Sequence, residues 1–566
     1  MGTVSIDGIL YAELLRGGAA RLRANIKTIN DLNVFPIPDG DTGDNMFLTI
    51  DSGVSSTGTE TAHLGEAAAK VAQGMLLGAR GNSGVILSRI FAGIAKGLSG
   101  VEKADIAAFG KALESGIKES YSAVSVPVEG TILTVYKDGV VYANSRLVAS
   151  STLESYLDDM LWELNRSLER TPDLLQVLKD AGVVDSGGAG FICIAEGMKA
   201  TLTGELGELG QEGGSSRKNV DLNAFTENSV LEFGYCTEFL LRLQKCKIDL
   251  DAFDLNELID WLNANGDSVV AFREGTIVKV HVHTKKPGDI FNHVQKYGEF
   301  LTMKIENMTL QHNETHKGGA KTKKKKPHKP FGVVSVAAGE GIKKTFVSLG
   351  CDAVVDGGQS MNPSAEDLIE AFGEVNADTI FVFPNNSNII LTAQQAASLY
   401  DKAEVRVVPS KTIGEGYAAI SMLDTSSNDA DQIVAYAEEV ISGVVTGLVS
   451  QAVRDTERDG VKVVKDDYIG FVDDRIYVDD PDRTQAALGL AEALKASRYD
   501  IMLVICGSDV PKEEADAIRK TLRRQYRRTE VVMIDGGQPV YDYIIILSGL
   551  LNLDHFLNLI EFDYYH

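Results

Sequence analysis

Three stretches of unlike periodicity predict a multidomain chain: an all-α N-terminal domain, a small α+β middle domain and an α/β C-terminal domain. Over residues 1–203 apolar side chains recur at three- and four-residue spacing, as in "SRIFAGIAKGL" and "LESYLDDMLWELNRSLER", the period of amphipathic helices. Residues 220–315 carry alternating, β-branched segments instead. From 331 to 566 short apolar runs alternate with helical patterns, which implies a largely parallel sheet flanked by helices. A chain of 566 residues has room for three or four domains.

Within the first region, glycine-rich turns at 40–43, 78–84 and 187–190 punctuate the helices, because glycine bends the backbone without a Cβ clash. "GELGELGQEGGSSRKN" (204–219) has the composition of a flexible linker. In the middle region "YCTEFLLRL", "SVVAFREGTIVKVHVHT" and "MKIENMTLQ" predict strands, with helices at "LNELIDWLNAN" and "PGDIFNHVQKYG". The run "HKGGAKTKKKKPHKP" (316–330) is the basic stretch of the chain and is expected to be a solvated linker. In the last region "FGVVSVA", "CDAVVDGG", "TIFVFPN" and "EVRVVPS" predict buried strands. There "DAVVDGGQS" at 352–360 is echoed by "VVMIDGGQP" at 531–539, which either two related half-units or one sheet entered twice would explain.

Hydrophobic residues make up 44% of the chain, enough to fill several cores and to exclude a disordered protein. A formal net charge of -25 repels phosphate backbones, so nucleic acid is not an expected partner. An anionic nucleotide would need local help from a metal or from backbone N–H groups. Five scattered cysteines are not a disulfide framework. No apolar run approaches the roughly 20 residues that span a bilayer. The opening "MGTVSIDGILYAELL" lacks the basic-then-apolar pattern of a signal peptide, so the expected location is cytoplasmic.

The densest chemistry lies in "NVFPIPDGDTGDNM", residues 33–46. Asp39, Asp41 and Asp44 crowd one turn with no basic residue among them, and close carboxylates bind hard divalent cations. An EF-hand does not fit: the twelfth position from Asp39 is Ile50 where a glutamate is needed, and Asp44 stands where the loop needs glycine. Helix capping by Thr42 or Asp44 would explain one residue of the group. Mg²⁺ is favoured over Ca²⁺ because few ligands are supplied.

"GARGNSGVILSRIFAG" (78–93) places Gly78, Gly81 and Gly84 just before an apolar helix. Such a turn offers free N–H groups to phosphate, although no Lys-Ser/Thr of a Walker A loop follows. Ser83 could cap the helix or touch a phosphate, and Arg80 could offer a charge or face solvent. "VEGTILTV" (Gly130, Thr131) and "VVDSGGAGFICIAEG" (Asp185, Gly187) repeat the theme, so several helix N-termini are expected to converge on a nucleotide. In "VKVHVHT", His281 and His283 fall on one face of a strand. With Cys236 on another strand they have the residue types of a three-ligand Zn²⁺ site, or of two half-buried histidines and an inert core cysteine.

Through "DGDTGDNM", "GARGNSG", "EGTILTV" and "DSGGAG" the first 200 or so residues resemble the ATP-binding subunit of dihydroxyacetone kinases. The three-part layout resembles, end to end, the catalytic subunit of bacterial fatty acid kinase, most specifically through "LNVFPIPDGDTGDNM" and "VKVHVHT". The resemblance implies an N-terminal helical barrel that binds ATP with two Mg²⁺ ions. It implies as substrate a fatty acid presented by a separate carrier protein, as product an acyl phosphate for phospholipid synthesis, and as assembly a homodimer. Asp39 and Asp41 become Mg²⁺ ligands, with Asn33 and Asp44 at the edges of that set. Asn33 stands, one residue displaced, where dihydroxyacetone kinases carry an aspartate. Asn45, Gly81, Ser83, Gly84, Gly130, Thr131, Asp185 and Gly187 fall around the nucleotide, and Arg80 joins Asp39 and Asp41 as a catalytic residue. Cys236, His281 and His283 match the middle-domain metal site, and the C-terminal domain takes a carrier-docking role. A kinase of a small hydroxy-compound such as dihydroxyacetone would not need some 350 further residues. A non-catalytic nucleotide-binding scaffold would have little use for the charge-dense loop.

Overall fold

The computed structural model describes residues 2–32, 40–57, 61–124, 126–204, 235–245, 247–250, 253, 255–274, 276–284, 286–307, 328–358, 362–423 and 429–549. The expected linker 204–219 lies outside them except for Gly204, and so does 316–327 of the basic run. The chain forms two compact units, 1–206 with 327–566, and 207–326.

The N-terminal segment is helical, as expected: α1 (Gly8–Ala24), α2 (Ile26–Asn30), α3 (Thr42–Ser55), α4 (Leu64–Gly78), α5 (Gly81–Gly97), α6 (Ile106–Ser122), α7 (Ile132–Ser145), α8 (Leu153–Leu174), α9 (Gln176–Ala181) and α10 (Ser186–Thr203). Its extended structure among the described residues is one two-residue ladder, β1 (Ser5–Ile6) against β2 (Ala104–Asp105). Asp7 caps α1 by accepting from Leu10 N, and Asp105 caps α6 by accepting from Ala108 N. The apolar faces meet in one core that includes Tyr11, Leu14, Met46, Ile90, Tyr136 and Ile194. Glycines set the spacing of α1 and α10: a Cβ on Gly197 would lie 2.7 Å from Gly18 Cα.

The second unit holds one antiparallel sheet of order β4-β5-β3-β6, from β3 (Tyr235–Leu243), β4 (Asp267–Glu274), β5 (Ile277–Thr284) and β6 (Gly298–Asn307). Helices α11 (Leu255–Asn265) and α12 (Pro287–Val294) accompany it. Phe239, Leu241, Leu258, Leu262, Val280 and Ile290 fill its core, so the α+β expectation holds.

The C-terminal segment is α/β, in two sheets. β7 (Lys329–Ala337), β8 (Ala353–Asp356), β9 (Ala377–Phe383) and β10 (Glu404–Val407) form a wholly parallel sheet of order β10-β9-β7-β8. Helices α13 (Glu340–Ser348), α14 (Ala365–Gly373) and α15 (Ser387–Leu399) alternate with those strands, and α16 (Ile413–Ser421) and α17 (Ala430–Ser442) follow. The second sheet corrects the expectation of a largely parallel domain. It runs β15-β14-β11-β18-β16-β17, from β11 (Val445–Gln451), β14 (Tyr468–Val472), β15 (Arg475–Asp480), β16 (Ile501–Gly507), β17 (Glu530–Gln538) and β18 (Tyr543–Ser548), and within it only β16 and β17 pair in parallel. The cause is connection length: β14 and β15 are joined by two residues, which permits only an antiparallel hairpin. A separate hairpin, β12 (Thr456–Arg458) with β13 (Val461–Val463), turns at Asp459 and Gly460, both at positive φ. Helices α18 (Arg483–Ala493) and α19 (Lys512–Gln525) complete the segment. The described residues of the two DGGQ runs, 356–358 and 535–538, occupy like places. Each closes or follows an edge strand, β8 or β17, that is parallel to its neighbour and reached through α13 or α19.

Gly197→Ala should force α1 away from α10 and lower unfolding free energy by about 1–3 kcal/mol; urea titration of the helical signal measures it.

Candidate nucleotide and metal site

Asp41 occupies the N-cap position of α3, at φ -127° and ψ 7°, and makes no side-chain capping bond. Neither Thr42 nor Asp44 caps this helix: Thr42 is its first residue and Asp44 lies in its first turn. The Asp41 carboxylate instead accepts a 2.6 Å hydrogen bond from Asn362 Nδ2. Burial pushes the Asp41 carboxyl up to about 6, and nearby Asp44 adds to the rise while hydrogen bonds from Asn45 and Asn362 oppose it. Asp44 accepts from Asn30 Nδ2 at 2.7 Å, and Asn30 Oδ1 accepts from Gly43 N at 2.7 Å. Asn30 thus clamps the aspartate turn onto the end of α2. A side chain at Gly43 would break that clamp, since its Cβ would stand 2.6 Å from the Ile26 carbonyl oxygen. Asp39 and Asn33 lie outside the described residues.

The second glycine turn meets the first. Gly81 opens α5 at φ +58°, and a Cβ there would lie 2.5 Å from Asn45 Nδ2. Thr49 joins the helices, donating to Asn45 O at 2.6 Å and accepting from Arg80 N at 3.3 Å; Gly84 is held small by the same hydroxyl. Ser83 lies in the first turn of α5. The Arg80 side chain does not cap α5. Its Nη1 donates to Asn362 O at 2.7 Å and stands 3.5 Å from Asp367 Oδ2.

At α7, Gly130 has φ +85° and Thr131 takes the N-cap position without a capping bond, its hydroxyl donating to Val128 O at 2.8 Å. Asp185 caps α10, accepting from Gly188 N at 2.6 Å. Burial raises the Asp185 carboxyl to about 6 against hydrogen bonds from the backbone of Gly188 and Ile132, the second of which reaches the first residue of α7. Gly187 permits that approach, its would-be Cβ lying 3.2 Å from Ile132 Cβ. Ser186 donates to Thr42 Oγ1 at 3.3 Å, linking α10 to α3.

The starts of α3, α5, α7 and α10 are therefore joined in series; the N-cap side chains of the first three make no capping bond, although Asn30 takes the Gly43 N–H of α3 and Asp185 takes the Ile132 N–H of α7. The N–H groups left free at such helix starts, with the positive end of the helix dipole, suit phosphate. The oxygen donors beside them, from Asp41, Asp44, Asn45 and Asn362, are hard ligands of the kind Mg²⁺ takes, and Asn362 Oδ1 is a buried acceptor with no hydrogen-bond partner among the described residues. Asn30, Thr49 and Asn362 were not among the expected site residues. Asn30 and Thr49 lack any motif around them, and Asn362 lies 321 positions from Asp41.

In the second unit the strand register sets Cys236 opposite His283 and Glu238 opposite His281 between β3 and β5. Among the described residues no three His, Cys, Asp or Glu side chains are gathered to hold a metal, and no helix is long and apolar enough to cross a membrane.

A helical domain whose helix starts converge beside an acidic turn, joined to α+β and α/β parts, defines a kinase of the DAK2-domain class; residues 36–200 match the DAK2 domain itself. Residues 232–315 match the FakA-like middle domain, and residues 332–548 the FakA-like C-terminal domain, of the fatty acid kinases. The chain belongs to that family. It is 38% identical over 560 residues to Protein YloV of Bacillus subtilis (strain 168), covering 96% of this chain and 100% of that one. Among solved structures it is similar to DegV, a fatty acid binding protein from Bacillus subtilis, at 14% identity and TM-score 0.30, over 39% of this chain and 99% of that one. The dihydroxyacetone kinase of C. freundii matches at 13% identity and TM-score 0.30, over 39% of this chain and 48% of that one.

The raised Asp185 carboxyl has a consequence for stability. The folded state holds its proton up to about pH 6, whereas the unfolded chain releases it near pH 4. Stability from this group is fully present below pH 4 and is lost as pH rises through 6. Asp185→Asn keeps a capping oxygen without the charge. It should stabilise the protein by about 1 kcal/mol at pH 7.5 and make no difference near pH 4, read from urea midpoints at both values.

Proposed function

We propose that this chain transfers the terminal phosphoryl group of ATP to the carboxylate of a fatty acid held by a separate carrier protein, giving an acyl phosphate for phospholipid synthesis. The single observation that carries this assignment is the meeting of the α3 and α5 starts beside the Asp41–Asp44 turn, where Thr49 accepts from Arg80 N and Gly81 packs on Asn45. Family membership supports the fatty acid as acceptor. Asp39 and Asp41 hold Mg²⁺, with Asn33 and Asp44 at the margin of the set; when bound, the cation neutralises charge on the phosphates. Gly81, Ser83 and Gly84 at α5, Gly130 and Thr131 at α7, and Asn45 on α3 cradle the nucleotide. Asp185 and Gly187 fix the start of α10 against α7. Arg80 stands at the edge of this cradle, where it pairs with Asp367 and grips the backbone of Asn362.

The acceptor needs no general base. A fatty acid carboxylate is ionised near neutral pH, so positioning and charge neutralisation supply the catalysis. A Zn²⁺ ion at Cys236, His281 and His283 is supported by the register that pairs Cys236 with His283 and by the ligand types. The C-terminal α/β domain docks the carrier, and the working form is a cytoplasmic homodimer.

Incubated with ATP, Mg²⁺, oleate and a fatty-acid-binding carrier, the protein should form acyl phosphate. Asp41→Ala should cut that rate by at least about a hundredfold. Phosphorylation of dihydroxyacetone in place of the acyl chain, or no turnover with either, overturns the assignment.

At saturating Mg²⁺ the rate should change by less than about threefold between pH 6 and 8. A single-proton rise centred near pH 7 counts against a base-free mechanism.

A further inference from the structure

We infer that Asn362, in the turn before α14 of the C-terminal segment, is a member of the cation site of the helical segment. This rests on the assignment of that site to ATP and a divalent cation. Asn362 is 2% exposed. Its Nδ2 donates to Asp41 Oδ2 at 2.6 Å and lies 3.4 Å from Asn45 Oδ1. Its own Oδ1 is buried with no hydrogen-bond partner among the described residues. Buried acceptors are nearly always paired, and an exception beside a carboxylate that needs a cation marks where the missing partner goes. An amide carbonyl is a hard oxygen donor, able to meet Mg²⁺ directly or through one of the waters the ion retains.

The placement is enforced by the glycine turn of α5 and its surroundings. Arg80 Nη1 donates to Asn362 O at 2.7 Å, and Ala365 N donates to Ala79 O at 3.2 Å. Asn82 Nδ2 donates to Asn388 Oδ1 at 3.2 Å, and Gln395 Nε2 donates to Leu76 O at 2.6 Å. Gly81 leaves the room: a Cβ there would stand 3.2 Å from Asn362 Nδ2. Pro363 confines the backbone of Asn362 to extended conformations. The turn whose sequence suggested a phosphate contact therefore also grips the segment that brings Asn362 in. A cation bound between Asp41 and Asn362 ties the two chain segments together, so cation affinity and segment docking strengthen each other by the same factor.

Mn²⁺ used in place of Mg²⁺ tests this by electron paramagnetic resonance, which counts free Mn²⁺ over the full-length protein with a non-hydrolysable ATP analogue. Wild-type protein should take up Mn²⁺ with the analogue; failure to do so overturns the underlying ATP-cation assignment and this inference with it. Asn362→Ala should weaken Mn²⁺ binding about tenfold. Asn362→Asp should return it to within about threefold of wild type, because a carboxylate oxygen replaces the amide oxygen. If Asn362 only packed the segments together, the aspartate would face Asp41 with like charge and Asn362→Asp would bind Mn²⁺ no better than Asn362→Ala. That result, or an Asn362→Ala protein with wild-type or tighter affinity, overturns the inference while leaving the ATP-cation assignment intact. Should Asn362→Ala not fold, Asn362→Asp decides alone: wild-type-like affinity supports it and a tenfold loss overturns it.

Discussion

The Asp41 carboxylate is half-buried at the start of α3, and a charge drawn out of water must be met by hydrogen bonds or by a cation. Much of the surrounding structure meets that constraint. Asn45 lies one helical turn on, Asn362 arrives from the C-terminal segment, and Asn30 takes up the neighbouring Asp44 so that the two acids are held apart from each other's hydrogen bonds. The same three amides have the neutrality that a cation site requires: none of them competes with the ion by bringing a fixed positive charge. The Arg80 guanidinium is spent on Asp367 and a backbone carbonyl.

How much of this was legible in the residues depends on the range of each interaction. The helix starts were legible because glycine marks a local steric demand: Gly81 and Gly130 adopt positive φ, and Gly187 admits a neighbouring helix. Strand β3 and helix α11 coincide with the segments read from periodicity, since alternation and 3.6-residue spacing are properties of the segment itself. Asn30 and Asn362 left no such trace. Their partners are set by how separate elements pack, and an asparagine in a turn reads the same whether it faces solvent or a buried acid.

The second C-terminal sheet shows the opposite failure, a misleading local signal. Strand-helix alternation suggested a largely parallel sheet, and parallel pairing holds at β7–β8 and β16–β17. It fails where helices drop out between β11 and β15, and the Asp459-Gly460 pair was a visible hairpin signal in that stretch. The histidine and cysteine strands fall between these cases: their pairing in register is a backbone fact, while the chemistry of the trio belongs to a partner set that spacing alone leaves open.

The compact unit that holds the site is discontinuous in the chain, built from residues 1–206 and 327–566. Asp41 and Asn362 are separated by 321 positions. At about 5–20 residues per second of synthesis, Asp41 leaves the ribosome on the order of tens of seconds before Asn362. The helical segment has its own core and can fold in that interval, so the young protein carries its acidic turn open to water. Only when the C-terminal segment returns does the carboxylate gain its hydrogen bond from Asn362. The site's final environment is thus acquired last, and its age is set by the length of the polypeptide that lies between the two residues.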